Sequence, residues 1–176
     1  MDRQPTLLGD GLSLRPLQVG DHAALFDAAK DPLLWAQHPA QDRWLPGPFK
    51  AFFDAAVASG GALLIQNGEG DVLGTSRYYD DRGEDSVAIG YTFLRRSHWG
   101  GATNRRVKAL MLNHAFKSVK EVRFHVGREN YRSQRALAKL GVELVVAPEA
   151  DPRFPQETYF TFRLSRERWL EKSASP

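Results

Sequence analysis

The stretch Arg95-Arg96-Ser97-His98-Trp99-Gly100-Gly101-Ala102-Thr103-Asn104 separates an apolar run, Ser86 to Leu94, from a segment whose apolar residues recur largely at helical spacing. No other part of the chain restricts the fold as much. A small-residue turn feeding a helix start leaves backbone N–H groups unpaired and pointing outward. The positive end of the helix dipole then favours phosphate oxygens at that place. Arg95, Arg96, Arg105, Arg106 and Lys108 flank the turn with charge of the matching sign. From these residues alone, the turn is either a plain strand-to-helix corner or a phosphate cradle.

The elements around it follow from hydrophobic period and turn chemistry. Leu12 to Leu17 alternates as a first strand ended by Pro16, and Asp21 stands as the N-cap of a first helix running to Ala29. Asp31 to Pro48, with Trp35, His38, Trp44 and Pro46, reads as an irregular loop. A second helix covers Phe49 to Val57, closed by Ser59-Gly60-Gly61. Ala62 to Gln66 and Val72 to Tyr78 form a hairpin about Asn67-Gly68, and Asp80-Asp81-Arg82-Gly83 turns the chain again.

Beyond the glycine turn, Asn104 to Lys117 predicts a long helix and Glu121 to Val126 a strand. Tyr131 to Leu140 predicts a short helix stopped by Gly141. Val142 to Val146 and Thr158 to Leu164 are the last strands, joined by the loop Pro148 to Gln156, and the tail beyond Trp169 is expected to fray. This order predicts one α/β or α+β domain over residues 1–176, with a mixed sheet and flanking helices.

At 176 residues the chain is long enough for one domain with a proper core. Its net charge of +3 is too small to argue for nucleic acid. The basic residues between Arg95 and Lys108 and between Arg128 and Lys139 suit a small polyanion better than a duplex, which needs a broad basic face. With no cysteine, the chain has no disulfide, thiol nucleophile or sulfur-ligated metal. His98, His114 and His125 share no metal-ligand spacing, so no metal is expected. Met1 to Pro5 lacks a signal-peptide core, and no run is apolar enough to span a bilayer. The expectation is a cytoplasmic protein with no membrane or nucleic-acid partner.

Four segments together resemble the GNAT superfamily of acetyl-CoA-dependent N-acetyltransferases, and most nearly its ribosomal-protein alanine N-acetyltransferase branch. They are Leu14-Arg15-Pro16-Leu17 followed by Asp21, Ile89-Gly90-Tyr91-Thr92-Phe93-Leu94, Ser97-His98-Trp99-Gly100-Gly101-Ala102, and Asn130-Tyr131-Arg132-Ser133 with Leu137-Ala138-Lys139-Leu140-Gly141. The resemblance covers nearly the whole chain. It implies a mostly antiparallel sheet with a splayed central strand pair, and acetyl-CoA as co-substrate.

The resemblance also assigns roles. Backbone amides of Trp99, Gly100, Gly101, Ala102, Thr103 and Asn104 hold the diphosphate, and Arg95, Arg96, Arg132 or Arg135 meets the 3′-phosphate. The backbone of Phe93 and Leu94 faces the thioester, and Asn130 bridges the diverging strands to the pantetheine arm. Ser133 either protonates the leaving thiolate or caps its helix. Three departures stand out: Ser97 replaces the family's Gln or Arg, Ala88 its frequent glutamate base, and Leu137 a tyrosine acid of other branches. The base then falls to ordered water, Glu149 or His38. The acceptor is an amine-bearing small molecule or a protein N-terminus, in a homodimer by family analogy. The alternative is a catalytically weak acyl-CoA-binding sensor or partner-binding module.

Overall fold

In Ala62–Asn67 (β3), Leu63 and Ile65 turn to one side of a sheet and Leu64 to the other, so two apolar layers form on one strand. The computed structural model describes residues 1–80, 85–146 and 151–174. Among these, Leu7–Gly9 (β1), Leu12–Pro16 (β2), β3, Val72–Tyr79 (β4), Ser86–Leu94 (β5), Glu121–Gly127 (β6), Glu143–Leu144 (β7) and Tyr159–Ser165 (β8) form one mixed sheet. Its order is β1-β2-β3-β4-β5-β6-β8-β7. Every neighbouring pair is antiparallel except β5 and β6.

That parallel pair positions the site. It holds register only from Ser86↔Glu121 to Ala88↔Arg123, and beyond Ala88 the two strands diverge. On its far side β6 stays paired with β8 from Glu121 to Gly127, and β5 stays on β4. The result is a wedge open at the carboxyl ends of two parallel strands, where ligands of α/β folds commonly bind.

His22–Ala29 (α1) and Pro46–Ala58 (α2) cover one face of the sheet, burying Leu25, Phe49, Phe52 and Phe53 against Leu64 and Phe93. Burying each such side chain contributes roughly 2 kcal/mol. Thr103–Ala115 (α3) covers the other face through Val107, Met111, Leu112 and Ala115. The buried Tyr78 hydroxyl donates to the Met111 carbonyl at 2.7 Å, fixing α3 over β4. Tyr131–Ala138 (α4) follows β6, and Arg166–Ala174 (α5) follows β8.

The expected mixed sheet with flanking helices is the observed architecture, with local corrections. Residues 7–9 form an edge strand that the sequence reading left out. Asp21 occupies the N-cap position of α1 as expected, but its side chain makes no capping bond: the carboxylate accepts from the Gln18 amide and pairs with Arg15 at 2.7 Å, closing a 3-10 turn ahead of the helix. Burial raises the Asp21 pKa, but Arg15 and the Gln18 amide outweigh it and the net shift is downward.

The second helix begins at Pro46, because a proline at the first helical position has no N–H to leave unpaired. The tail expected to fray is helical as far as Ala174, the last described residue. Trp169 is buried, and its indole N–H donates to Asn113 Oδ1 at 2.8 Å, so tertiary packing orders α5. The turn expected over Asp80 to Gly83 and the loop Pro148 to Gln156 lie partly outside the described residues.

Candidate functional site

The wedge is widened by a bulge in β5. The β4–β5 register passes from Thr75↔Phe93 to Arg77↔Gly90, leaving Ser76 against both Tyr91 and Thr92. Tyr91 takes φ +52°, a left-handed conformation that costs a non-glycine residue about 1 kcal/mol. Its ring is held by Tyr79, 5.3 Å away between centroids, and by the Arg77 guanidinium, 4.2 Å over its face. The bulge lets the backbone from Ile89 to Leu94 line a cavity of about 470 Å³.

At one end of this cavity the chain leaves β5 through Trp99, Gly100 and Gly101 into α3. Gly100 has φ +76°, which glycine adopts without strain. Ala102 occupies the N-cap of α3 with no side-chain hydrogen bond. Among the described residues the amides from Gly100 to Arg105 have no carbonyl or side-chain acceptor, and the first intrahelical bond runs from Arg106 to the Ala102 carbonyl at 2.9 Å. A row of free donors at a helix start matches the needs of a diphosphate.

The cations named around this loop divide into two groups. Arg95 pairs with Asp27 at 2.6 Å and donates to the Val72 carbonyl, and Arg96 pairs with Asp31 at 2.6 Å. Both tie the loop to the α1 region. Together with Lys30, Arg95 holds the Asp27 carboxyl down to about 2. Arg132 lies 3.8 Å over the Trp99 ring and donates to the Leu34 carbonyl. Arg105, Arg135 and Lys139 line the cavity with no ion-pair partner among the described residues, which leaves them available to phosphate.

Asn130 is the N-cap of α4. Its side-chain oxygen accepts the Ser133 amide at 3.1 Å, which leaves its NH₂ group as the free donor in the buried wall. Ser133 is therefore not the cap. Its hydroxyl lines the cavity with no hydrogen-bond partner among the described residues, as does the side chain of Leu137. Ala88 is fully buried at the last ladder pair before the splay.

Sequence reasoning counted Lys108 only as flanking charge. The fold turns it inward: it is 6% exposed and its ammonium donates to Thr92 Oγ1 at 2.7 Å, which in turn meets Ser76 Oγ at 2.7 Å. Burial pushes its pKa down to about 7. One side chain thus braces α3 against the bulge.

On the α2 side of the wedge stand Trp35, His38, Tyr91, His125 and Tyr159. The Ala40 amide donates to His38 Nδ1 at 2.9 Å, so the ring proton sits on Nε2. Burial first, and then the nearby Arg43 guanidinium, pushes the His38 pKa down to about 4. A ring with its lone pair so engaged is a poor general base, and the expectation for His38 is corrected accordingly. Glu149 lies outside the described residues. His125, which sequence reasoning weighed only as a metal ligand, has its Nδ1 2.8 Å from the Tyr79 hydroxyl, which lies over Gly90 just beyond the last paired residues of β5 and β6. Only the pairing of β4, β5 and β6 brings these two together.

The sequence matches the acetyltransferase (GNAT) domain family over residues 12–143. Among solved structures, the fold resembles a GCN5-related N-acetyltransferase from Brucella melitensis, at 16% identity over 95% of this chain and 81% of that one, with a TM-score of 0.76. It also resembles Mycobacterium smegmatis RimJ in complex with CoA-disulfide, at 18% identity over 96% of this chain and 93% of that one, with a TM-score of 0.66. A third likeness is ribosomal-protein-S5-alanine acetyltransferase from Vibrio fischeri, at 14% identity over 94% of this chain and 99% of that one, with a TM-score of 0.66. A comparison with curated proteins gave no match. Among the described residues no helix is long and apolar enough to cross a membrane.

Proposed function

This chain belongs to the GNAT acetyltransferase family, and from that premise we propose that it transfers an acetyl group from acetyl-CoA to a primary amine by direct attack within a ternary complex. The observation that carries the reading is the row of unpaired amides from Gly100 to Arg105 at the end of the splay cavity. Acetyl-CoA supplies an activated thioester. Everything else is work for the protein.

The Gly100–Arg105 amides, with Arg105, Arg135 and Lys139, bind the phosphate groups. The β5 backbone at Phe93 and Leu94 aligns the thioester, and an N–H from the bulge stabilises the oxygen on which negative charge develops. Alignment of amine and thioester supplies the largest share of the rate. Ser133 Oγ donates its proton to the departing thiolate, and the free Asn130 NH₂ group orients the arm that carries it.

The amine attacks once it has lost its proton, and the Tyr79–His125 pair receives that proton directly or through ordered water. The likeness to a ribosomal-protein-S5-alanine acetyltransferase supports a protein as one acceptor class, and we take its N-terminal amine as the acceptor group. Small amine-bearing molecules are the other.

The test is a calorimetric titration of acetyl-CoA, with Gly100→Val as control, followed by thiol release on mixing with a panel of amines. Micromolar binding, about 8 kcal/mol, that the valine abolishes supports the cofactor assignment. Binding with no thiol release from any amine would favour an acyl-CoA-binding module without catalysis. Ala88 and Leu137, at the places of a base and an acid in relatives, are the observation behind that second reading.

A further inference from the structure

Arg77 of β4 is 8% exposed, and its Nε has no hydrogen-bond partner among the described residues. Burying a charge without an opposite partner is costly and is rarely retained without a use. Its guanidinium meets aromatic faces instead, 4.2 Å from the Tyr91 centroid and 6.0 Å from that of Phe52. Arg43, from the segment before α2, lies 4.7 Å over the same Phe52 ring and 5.7 Å from Trp35. Among the described residues neither arginine is in an ion pair. Asp42 attracts Arg43 only through space, and Asp151 is paired with Arg153 at 2.6 Å. Cation–π contact offsets part of the lost hydration, about 1–2 kcal/mol per pair.

His38 adds a third donor. Its Nδ1 accepts from Ala40, so Nε2 carries the hydrogen, and that Nε2 lies 3.3 Å from Arg43 Nη1. With Nδ1 taken as the acceptor from Ala40, two donors face each other there and share no acceptor among the described residues. His38, Trp35 and Tyr91 all line the splay cavity.

We propose that Arg43, Arg77 and the His38 Nε2–H form an anion subsite beside the β5 bulge, and that the acceptor amine carries an anionic oxygen group which this subsite holds. The inference rests on the acetyl-transfer reading above and narrows its acceptor. A carboxylate or a phosphate would supply the acceptor atoms that three converging donors lack, in a pocket whose aromatic walls exclude water and strengthen the contact. The same positive field repels polycations and offers nothing to an amine without an acidic group nearby.

The experiment compares amines in matched pairs: the amino acids against their carboxamides, and phosphoethanolamine against ethanolamine. Thiol release measures kcat/KM, and calorimetry with CoA present measures acceptor binding. The expected result is a preference of at least about tenfold for the acidic member of one pair type, worth ~1.4 kcal/mol. The amino-acid and phosphoethanolamine arms tell carboxylate from phosphate.

That preference is expected to fall to near parity in both Arg77→Met and Arg43→Met, with the acetyl-CoA affinity of each variant within about twofold of the parent. Parity in the parent protein, or a preference that survives both variants, overturns the subsite. So does an acetyl-CoA complex that neither binds nor acetylates any acidic member, and that result leaves the cofactor assignment standing. Failure to bind acetyl-CoA overturns the acetyl-transfer reading itself, and the subsite with it.

Discussion

The Arg132 guanidinium lies 3.8 Å over the Trp99 ring, joining the first turn of α4 to the loop that opens α3. Trp99 also donates its indole N–H to the Leu94 carbonyl at 3.1 Å, so the stack fixes both walls of the cavity mouth. Burial lowers the Arg132 pKa, yet a guanidinium keeps its charge at neutral pH. Replacing Trp99 with alanine is expected to weaken acetyl-CoA binding by about tenfold, in line with loss of one desolvated cation–π contact. Calorimetric titration of the variant decides it, and unchanged affinity would reduce the stack to a surface contact.

Gly100→Val tests the amide cradle. A Cβ at Gly100 meets no atom within 4 Å, so the substitution does not crowd the protein. It forces a β-branched residue to φ +76°, a strain of about 1–3 kcal/mol, and places methyl groups where phosphate would approach. The expected outcome is a cooperatively folded protein with acetyl-CoA binding abolished, checked by thermal unfolding beside calorimetry.

Asn130 and Ser133 are one turn apart and separate by readout. Asn130→Ala removes the cap from the Ser133 amide and is expected to cost about 1 kcal/mol of stability, together with part of the cofactor affinity. Ser133→Ala leaves that cap in place. Its expected effect is a fall in kcat of about tenfold or more, with acetyl-CoA affinity unchanged. Equal loss of both in the serine variant would remove Ser133 from the chemistry.

Lys108 makes a pH prediction whose sign follows from its surroundings. Its pKa falls from 10.5 to about 7 on folding, because burial penalises the ammonium. Between those values the unfolded chain holds a proton that the folded protein has released. Stability from this group therefore rises as pH increases from about 7 to 10.5. Lys108→Met is expected to remove that slope and to stabilise the protein below pH 7, where the native lysine carries a buried charge. Urea unfolding of both proteins across that range measures the difference, and parallel curves would contradict the inward placement.

What the sequence determined by itself was whatever neighbours in the chain decide. The small-residue turn before α3, the alternation of β2 and the stop of α4 at Gly141 were legible because each is set by residues within a few positions, whereas the cap of α4, expected of Ser133, is Asn130. The resemblance pointed to a splay between the fourth and following strands for the same reason, as its motifs are local. Two local readings were altered by contacts from further away. Asp21 had a better partner in Arg15 than the helix amides, and Trp169 drew the C-terminal segment into a helix by packing near Asn113.

Tertiary structure alone decided which distant groups share a space. Lys108 meets Thr92 because α3 crosses the β5 bulge, and the bulge itself shows only in the register with β4. Arg43 and Arg77 converge on Phe52 through three elements that no spacing rule connects. Nothing in the sequence singles out either arginine. Only once folded are they drawn out of water against aromatic rings, with no ion-pair partner among the described residues, since burial and partnership belong to the assembled layers and not to the chain.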